Sequence, residues 1–253
     1  MGRVYVFVNQ KGGVGKTTSA INIGAYLAEA GKSVLLVDFD SQANLSSGVG
    51  IGEKDAKPGI YEVLSGLAPL DKAIRTTAIP ELRAIPSGLD LSGAAVELID
   101  QEERDYYLKN ALEPVRKSYD YILIDCPPSL GVLTINGLAA ADAVLIPMQC
   151  EYFAMEGLTH LLQTIRRIKK GTNPNLEIGG IFFTMYDSRT RLAQQVVKEV
   201  TGYFRDKVYN TIIPRNVRLS EAPSHGLPIS KYDPNSLGAR AYCNLAAEVM
   251  ERG

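Results

Sequence analysis

Val4-Tyr5-Val6-Phe7-Val8 runs directly into Asn9-Gln10-Lys11-Gly12-Gly13-Val14-Gly15-Lys16-Thr17-Thr18, and a segment of helix length follows. The first five residues are β-branched or aromatic, as a strand buried on both faces requires. Three glycines then permit a tight turn that aims backbone N–H groups inward, and the helix start adds a partial positive charge. The result is a cradle for phosphate. Lys16 is placed to reach the β- and γ-phosphates of a nucleotide, and the Thr17 hydroxyl to coordinate Mg²⁺. Gly12, Gly13, Val14, Gly15 and Thr18 complete the cradle. A glycine-rich turn ahead of any helix would look similar, but Lys-Gly-Gly-x-Gly-Lys-Thr arises by chance in such a chain about once in ten thousand.

The alternation begun there continues along the chain. Further strands are predicted at Ser33–Asp38, Tyr121–Asp125, Ala143–Pro147, Ile178–Thr184 and Val208–Ile213, with helices at Thr17–Ala30, Val132–Ala141, Met155–Lys169 and Arg191–Phe204. Leu158, Leu161, Leu162, Ile165 and Ile168 recur at helical spacing and give one apolar face. Strand–helix–strand alternation predicts an α/β fold: a single-domain, doubly wound, mostly parallel sheet flanked by helices. Residues 42–118 are richer in Gly, Pro and charge. They read as an excursion from the sheet, with helical pieces at Tyr61–Ser65, Ala94–Gln101 and Tyr106–Leu112 and one strand, Leu82–Pro86. One domain over residues 1–253 is expected.

Composition narrows the class. The 253 residues are 45% hydrophobic and 22% charged, which excludes a disordered chain. Mean hydropathy is −0.03, with no apolar run long enough for a membrane span. With 27 basic and 28 acidic residues the net charge is −1, which argues against a uniformly basic nucleic-acid binder. The charges are segregated, however. Residues 1–159 hold 13 basic and 20 acidic side chains, a net of −7, whereas residues 160–253 hold 14 and 8, a net of +6. Cys126, Cys150 and Cys243 form no Cys-x-x-Cys, and the N-terminal run has no signal-peptide pattern, so a reduced cytoplasmic setting is expected. Cys126 reads as the filler of a small buried slot. His160 and His225 are too few and too far apart to suggest a metal centre.

Two apolar strands deliver carboxylates to their C-terminal ends, where ligands of open α/β sheets bind. Val34-Leu35-Leu36-Val37 leads to Asp38-Phe39-Asp40, and Tyr121-Ile122-Leu123-Ile124 leads to Asp125-Cys126-Pro127-Pro128. A carboxylate after four apolar residues is costly to bury unless a cation or hydrogen-bond donors meet it. Asp125 suits holding Mg²⁺ through a water. Asp38 and Asp40 flank one residue, start on opposite faces of an extended backbone and therefore serve different roles.

The phosphate cradle departs from the ordinary G-x-x-x-x-G-K-[ST] form: Gln10 occupies the first glycine position and Lys11 follows it. A second lysine there is either a solvated surface residue or one that reaches a phosphate on another subunit. The loop resembles the deviant Walker A loop of the ParA/MinD group of ATPases, in which this lysine crosses a dimer interface to the partner's ATP. Asp38-Phe39-Asp40-Ser41-Gln42, Asp125-Cys126-Pro127-Pro128-Ser129-Leu130-Gly131, Thr184-Met185-Tyr186-Asp187 and the run from Ile213 to Gly226 extend the likeness to the chromosome-partitioning ParA/Soj ATPases over nearly the whole chain.

That resemblance implies a P-loop ATPase with ATP/ADP and Mg²⁺ as ligands, an ATP-sandwich homodimer and slow hydrolysis accelerated by a ParB-type partner. It implies that Asp40 positions the attacking water, that Asp38 lies near the Mg²⁺ hydration shell, and that Lys11 and Lys16 join Asp40 in catalysis. Read without it, Ile213–Gly226 is a strand end and a Pro-rich loop in which Pro214 and Val217 pack on a flat ring and Asn216 hydrogen-bonds it. With it, that segment and Met185 become the adenine end of the site. The resemblance also gives Arg189 and Arg218 a part in binding double-stranded DNA without sequence preference, and places the protein on the nucleoid. Arg191, Lys198, Arg205, Lys207 and Arg215 lie near them in sequence. Contacts to phosphates alone would weaken steeply with salt. No helix-turn-helix segment precedes the phosphate loop, so operator recognition is not expected.

The alternative is a membrane-cycling positioning ATPase like MinD, which needs a basic amphipathic C-terminal helix. The last helix, Leu237–Arg252, carries only Arg240 and Arg252 as basic residues. Its Ala239, Tyr242, Leu245, Ala246 and Val249 read as a core face, so no membrane partner is expected. Metallocentre-assembly ATPases need cluster cysteines that the sequence lacks.

Overall fold

A computed structural model of the chain describes residues 2–98 and 101–252. In chain order it builds β1 (Arg3–Phe7), α1 (Lys16–Glu29), β2 (Val34–Asp38), α2 (Asn44–Gly48), α3 (Ile60–Leu64), α4 (Leu70–Ala73), β3 (Arg75–Thr76) and β4 (Leu82–Ile85). These are followed by α5 (Leu91–Glu97), α6 (Tyr107–Leu112), β5 (Tyr121–Asp125), α7 (Val132–Ala140), β6 (Ala143–Gln149), α8 (Ala154–Lys170) and β7 (Glu177–Thr184). The last elements are α9 (Arg191–Phe204), α10 (Val217–Glu221), α11 (Ile229–Tyr232) and α12 (Leu237–Arg252). The chain forms a single α/β domain around one seven-stranded sheet of order β3-β4-β2-β5-β1-β6-β7, parallel except where β3 meets β4.

Alternate residues of each strand feed opposite faces. Val4, Val6, Leu35, Val37, Ile122 and Ile124 pack on the side of α7 and α8. Tyr5, Phe7, Val34, Leu36 and Leu123 pack on the side of α1 and α12. Each face is covered, which is why the strands read as unbroken apolar runs. The last helix buries all five residues of its expected core face. Cys126 is buried, and a Cβ on Gly137 of α7 would come within 2.7 Å of its sulfur, so the thiol does fill a tight slot.

Strand order positions the chemistry. In register, Phe7 at the end of β1 lies beside Asp125, and Asp38 at the end of β2 lies on the other side of that same Asp125. The loop after β1 and the two aspartates therefore emerge side by side at the carboxyl edge of the sheet.

Three expectations need correction. Val208–Ile213 is not a strand. It follows β7 through single bonds, Tyr209 N to Ile181 O at 2.8 Å and Ile213 N to Phe183 O at 2.9 Å, but the Asn210 and Thr211 amides donate instead to the Glu248 carboxylate at 2.8 and 2.7 Å. The diversion of two donors to a side chain interrupts the ladder. Residues 42–118 are not wholly outside the sheet, because β4 pairs parallel to β2 and β3 adds the antiparallel edge. The helix expected at Ala94–Gln101 starts earlier, so that Leu91 and Ala94 face the core; Ile99 and Asp100 lie outside the described residues.

Candidate active site

Gly13 and Gly15 adopt φ of 72° and 87°, left-handed conformations that a side chain would strain. Gly15 is the residue on which α1 begins, so the turn ends where the first helical N–H groups have no partner within the helix. Three side chains hold the loop from outside. Asn9 Nδ2 donates to Pro147 O at 2.8 Å, Thr184 Oγ1 to Val14 O at 2.7 Å, and Gln149 Nε2 to Gly13 O at 3.0 Å. Gln149 also lies 2.8 Å from the Met185 sulfur, so one amide ties the phosphate loop to the end of β7. Sequence reading missed Gln149 and Thr184; their only signal was their place at strand ends.

Lys16 is buried, and its ammonium donates to Asn9 O at 3.1 Å and Lys11 O at 3.3 Å. Burial lowers its pKa, and the nearby Asp125, Cys126 and Asp40 oppose that. Asp38 is fully buried and accepts from Ser46 N at 2.8 Å, Ser46 Oγ at 2.6 Å and Asp40 N at 3.3 Å. Burial still lifts its pKa to about 6 against those donors. Asp125 is equally buried; the Thr17 hydroxyl approaches it, but neither carboxylate oxygen has a partner in full hydrogen-bond geometry. Burial first, then the charge of Asp38, push its pKa up to about 8, while Thr17 and Lys16 pull the other way.

An unpartnered buried carboxylate beside a second one is a site that a cation would satisfy. Among the described residues no cluster of three or more His, Cys, Asp or Glu could cage a metal alone. Magnesium bound with nucleotide needs no such cage, because it keeps several waters and takes one or two carboxylates plus phosphate oxygens. Thr17, Asp38 and Asp125 fit that requirement.

A cavity of about 520 Å³ opens from the loop. Gly12, Gly13, Gly15, Lys16, Thr17 and Thr18 line one end, Asp40, Gln42 and Pro128 the side, and Met185, Pro214, Arg215 and Asn216 the far end. Asp40 Oδ1 is held by Gln42 N at 3.1 Å. Val217 is not brought in. It is 69% exposed, because Asn216 caps a helical turn here rather than continuing a loop, its Oδ1 accepting from Arg218 N at 2.9 Å. Ile213, Leu219 and Tyr242 supply the apolar surface instead. With its oxygen committed to the cap, Asn216 offers a ligand its Nδ2 donors. Val14 is buried beneath the loop and takes part through its carbonyl.

The cavity's two walls meet behind it. A Cβ on Gly226, which has φ of 65°, would lie 2.8 Å from Gly50 Cα, so only two glycines allow the 213–226 segment to seat on the α2 segment.

Lys11 does not point into the cavity. Its ammonium pairs with Glu151, both side chains about half exposed. Such a pair is worth about 0–1 kcal/mol, so Glu151→Gln is expected to shift the melting temperature by no more than about 2–4 °C, as scanning calorimetry would show. Gly12, beside it, has no reason within its own chain to be glycine: an added Cβ would meet only Pro128 Cβ at 3.9 Å. Arg189 and Arg218 lie on exposed segments flanking the cavity's far end and are paired with carboxylates rather than free.

The family model described as an AAA domain matches residues 2–178. The chain is 64% identical to the chromosome-partitioning ATPase Soj of Treponema pallidum, covering all of this chain and 98% of that one. It is 54% identical to the sporulation initiation inhibitor protein Soj of Bacillus subtilis over the full length of both. Among solved structures it is similar to cobyrinic acid a,c-diamide synthase from Mycobacterium smegmatis with bound ADP and magnesium. That match has a TM-score of 0.86 and 38% identity, and covers 99% of this chain and 95% of that one.

Proposed function

The chain belongs to the ParA/Soj family of chromosome-partitioning ATPases, and from that premise we propose that it is an ATP-driven switch for DNA binding. In this reading ATP fills the cavity, two protomers close face to face around two nucleotides, and the dimer binds double-stranded DNA without sequence preference. A ParB-type partner stimulates hydrolysis and releases the DNA. The cycle is a monomer–dimer equilibrium biased by the ligand that binds one state better. The working place would be the cytoplasm, on the nucleoid; among the described residues no helix is long and apolar enough to cross a membrane.

The observation that carries the ATPase reading is Asp125, buried and unpartnered beside Asp38 and under the phosphate loop. Thr17, with Asp38 and Asp125 acting through waters, would hold Mg²⁺. When bound, the ion neutralises charge on the β- and γ-phosphate oxygens. Lys16 leaves the loop carbonyls for the phosphates, the loop N–H groups orient them, and Asp40 holds the attacking water in line. Positioning and charge neutralisation supply most of the catalysis in phosphoryl transfer. At the far end Pro214 and Met185 would flank the adenine, with Asn216 Nδ2 donating to it.

Two features support the dimer. Gly12 is open on its own protomer's side, and Lys11 is held at the rim by a pair weak enough to exchange for a partner's phosphate. Gly12→Val is therefore expected to fold and bind ATP normally but to weaken ATP-dependent dimerisation by at least about tenfold, since added bulk in a close-packed interface costs about 1–3 kcal/mol or more. Light scattering with ATP, against wild type, measures it. A Gly12→Val protein that dimerises like wild type would remove Gly12 from the interface.

A membrane-cycling function is disfavoured by the packing of α12. Its Tyr242, Leu245 and Val249 are buried in the domain, so that apolar face is not offered to a bilayer.

A further inference from the structure

The strip proposed to meet DNA holds nearly as many carboxylates as arginines. Arg189 grips Asp187 with two parallel bonds, Nε to Oδ1 at 2.9 Å and Nη2 to Oδ2 at 2.7 Å, and its own backbone N–H donates to Oδ1 at 3.0 Å. Arg218 lies between Glu221 at 2.8 Å and Asp233 at 3.4 Å, and the Tyr232 hydroxyl donates to Glu221 at 3.1 Å. The two segments run side by side at the edge of the nucleotide cavity. Tyr186 N donates to Ile213 O at 3.0 Å, and Arg215 N to Tyr186 O at 3.1 Å. The net +6 of residues 160–253 already counts these carboxylates, and at Arg189 and Arg218 the positive charge is locally paired.

A carboxylate held in a guanidinium fork competes with phosphate for the same bidentate geometry. Both arginines are exposed, with side-chain accessibilities of 87% and 54%, so each pair is weak and exchangeable. Phosphate must nevertheless displace an anion already in place. One protomer meets that competition with few contacts. A dimer doubles the contacts, and linking two weak sites raises the joint affinity far above either.

We propose that Asp187 and Glu221 act as a brake on DNA binding, masking Arg189 and Arg218 so that a single protomer stays below the threshold for DNA and only the dimer exceeds it. The carboxylates then make the binding switchable. This rests on the DNA reading above. Met185, which lines the cavity, is two residues from Asp187, and Asn216, also in the lining, caps the turn that carries Arg218. With Ser220 also in the lining, the mask sits within two residues of the cavity wall on both segments.

The test is fluorescence anisotropy of a labelled duplex of random sequence across a salt series, with and without ATP. Light scattering reports the oligomeric state, and circular dichroism confirms folding of each variant. The double variant Asp187→Asn, Glu221→Gln is expected to bind the duplex without ATP, as a monomer, about tenfold or more tighter than nucleotide-free wild type. Its salt slope should steepen by about one for Arg189 and by up to about one for Arg218, which keeps Asp233 beside it. Should the double variant misfold, Asp187→Asn alone tests the same claim with a change in slope of about one. Unchanged or weaker nucleotide-free binding by folded variants would overturn the brake, if Arg189→Glu still loses ATP-dependent binding. If Arg189→Glu and Arg218→Glu both bind DNA like wild type with ATP, the DNA surface itself is misassigned and the brake falls with it.

Discussion

Asp40→Ala is expected to bind ATP and Mg²⁺ much as wild type does, yet to hydrolyse ATP about 10²–10³-fold more slowly, the usual loss when a positioned proton acceptor is removed. Asp40 lines the cavity opposite the phosphate loop and is held by Gln42 N, so its carboxylate is fixed without being consumed by partners. Asp38, two residues earlier, is buried against Ser46 and does not line the cavity, which leaves Asp40 as the carboxylate of this pair placed to hold the attacking water. Blocked hydrolysis should accumulate the ATP-bound dimer on DNA. Phosphate release and co-sedimentation with DNA measure the two halves separately. A wild-type hydrolysis rate would take Asp40 out of the chemistry; slow hydrolysis without DNA retention would separate turnover from release.

Asp125→Asn should change stability and ligand response in opposite directions. The folded protein holds the Asp125 pKa at about 8, against an ordinary value of 3.8, because burial and Asp38 disfavour its charge. A carboxyl group raised in the folded state contributes stability that is full below the unfolded pKa. That contribution is lost as pH rises through the interval up to the folded pKa. Nucleotide-free protein should therefore grow less stable between about pH 4 and pH 8, and the neutral amide should relieve the loss. A gain on the order of 5 kcal/mol near pH 8, or roughly ten degrees or more in melting temperature, is what the full shift implies. The same variant should lose the stabilisation that Mg²⁺ and ATP give wild type. Scanning fluorimetry at pH 6 and pH 8.5, with and without both ligands, separates these effects. Lower stability at pH 8.5 would overturn the buried-charge argument, and a wild-type ligand response would remove Asp125 from the metal site.

The sheet was legible because its strands are buried on both faces and therefore read as apolar runs bounded by turns. β5 matches its expected limits, and α9 and α12 do too, since apolar residues at a period of 3.6 mark out a long amphipathic helix. Two of the failures share a cause, a donor or acceptor supplied from far along the chain. Nothing within Val208–Ile213 says that Glu248 will take two of its amides. Lys11 could be identified as unusual, but its pairing with Glu151, 140 residues away, depends on how β6 and β1 neighbour one another. The short helix at Val217 was legible in principle, since Asn216 is a favoured capping residue, but the prolines on either side made a loop the simpler reading. The phosphate loop was legible despite its distant ties to Pro147, Gln149 and Thr184, because its turn is made by glycines adjacent in sequence.

The contact of Gly50 with Gly226 couples the two ends of the cavity in which the nucleotide is proposed to lie. The segment that follows Asp40 and the segment that carries Asn216 and Arg218 touch backbone to backbone there, with no side chain between them to deform. Packed interfaces tend to shift between discrete arrangements rather than yield gradually. A movement of the Asp40 segment at the phosphate end must therefore carry the arginine-bearing segment with it or break the contact. The lever from bond cleavage to DNA release would be one contact long, and it has no slack.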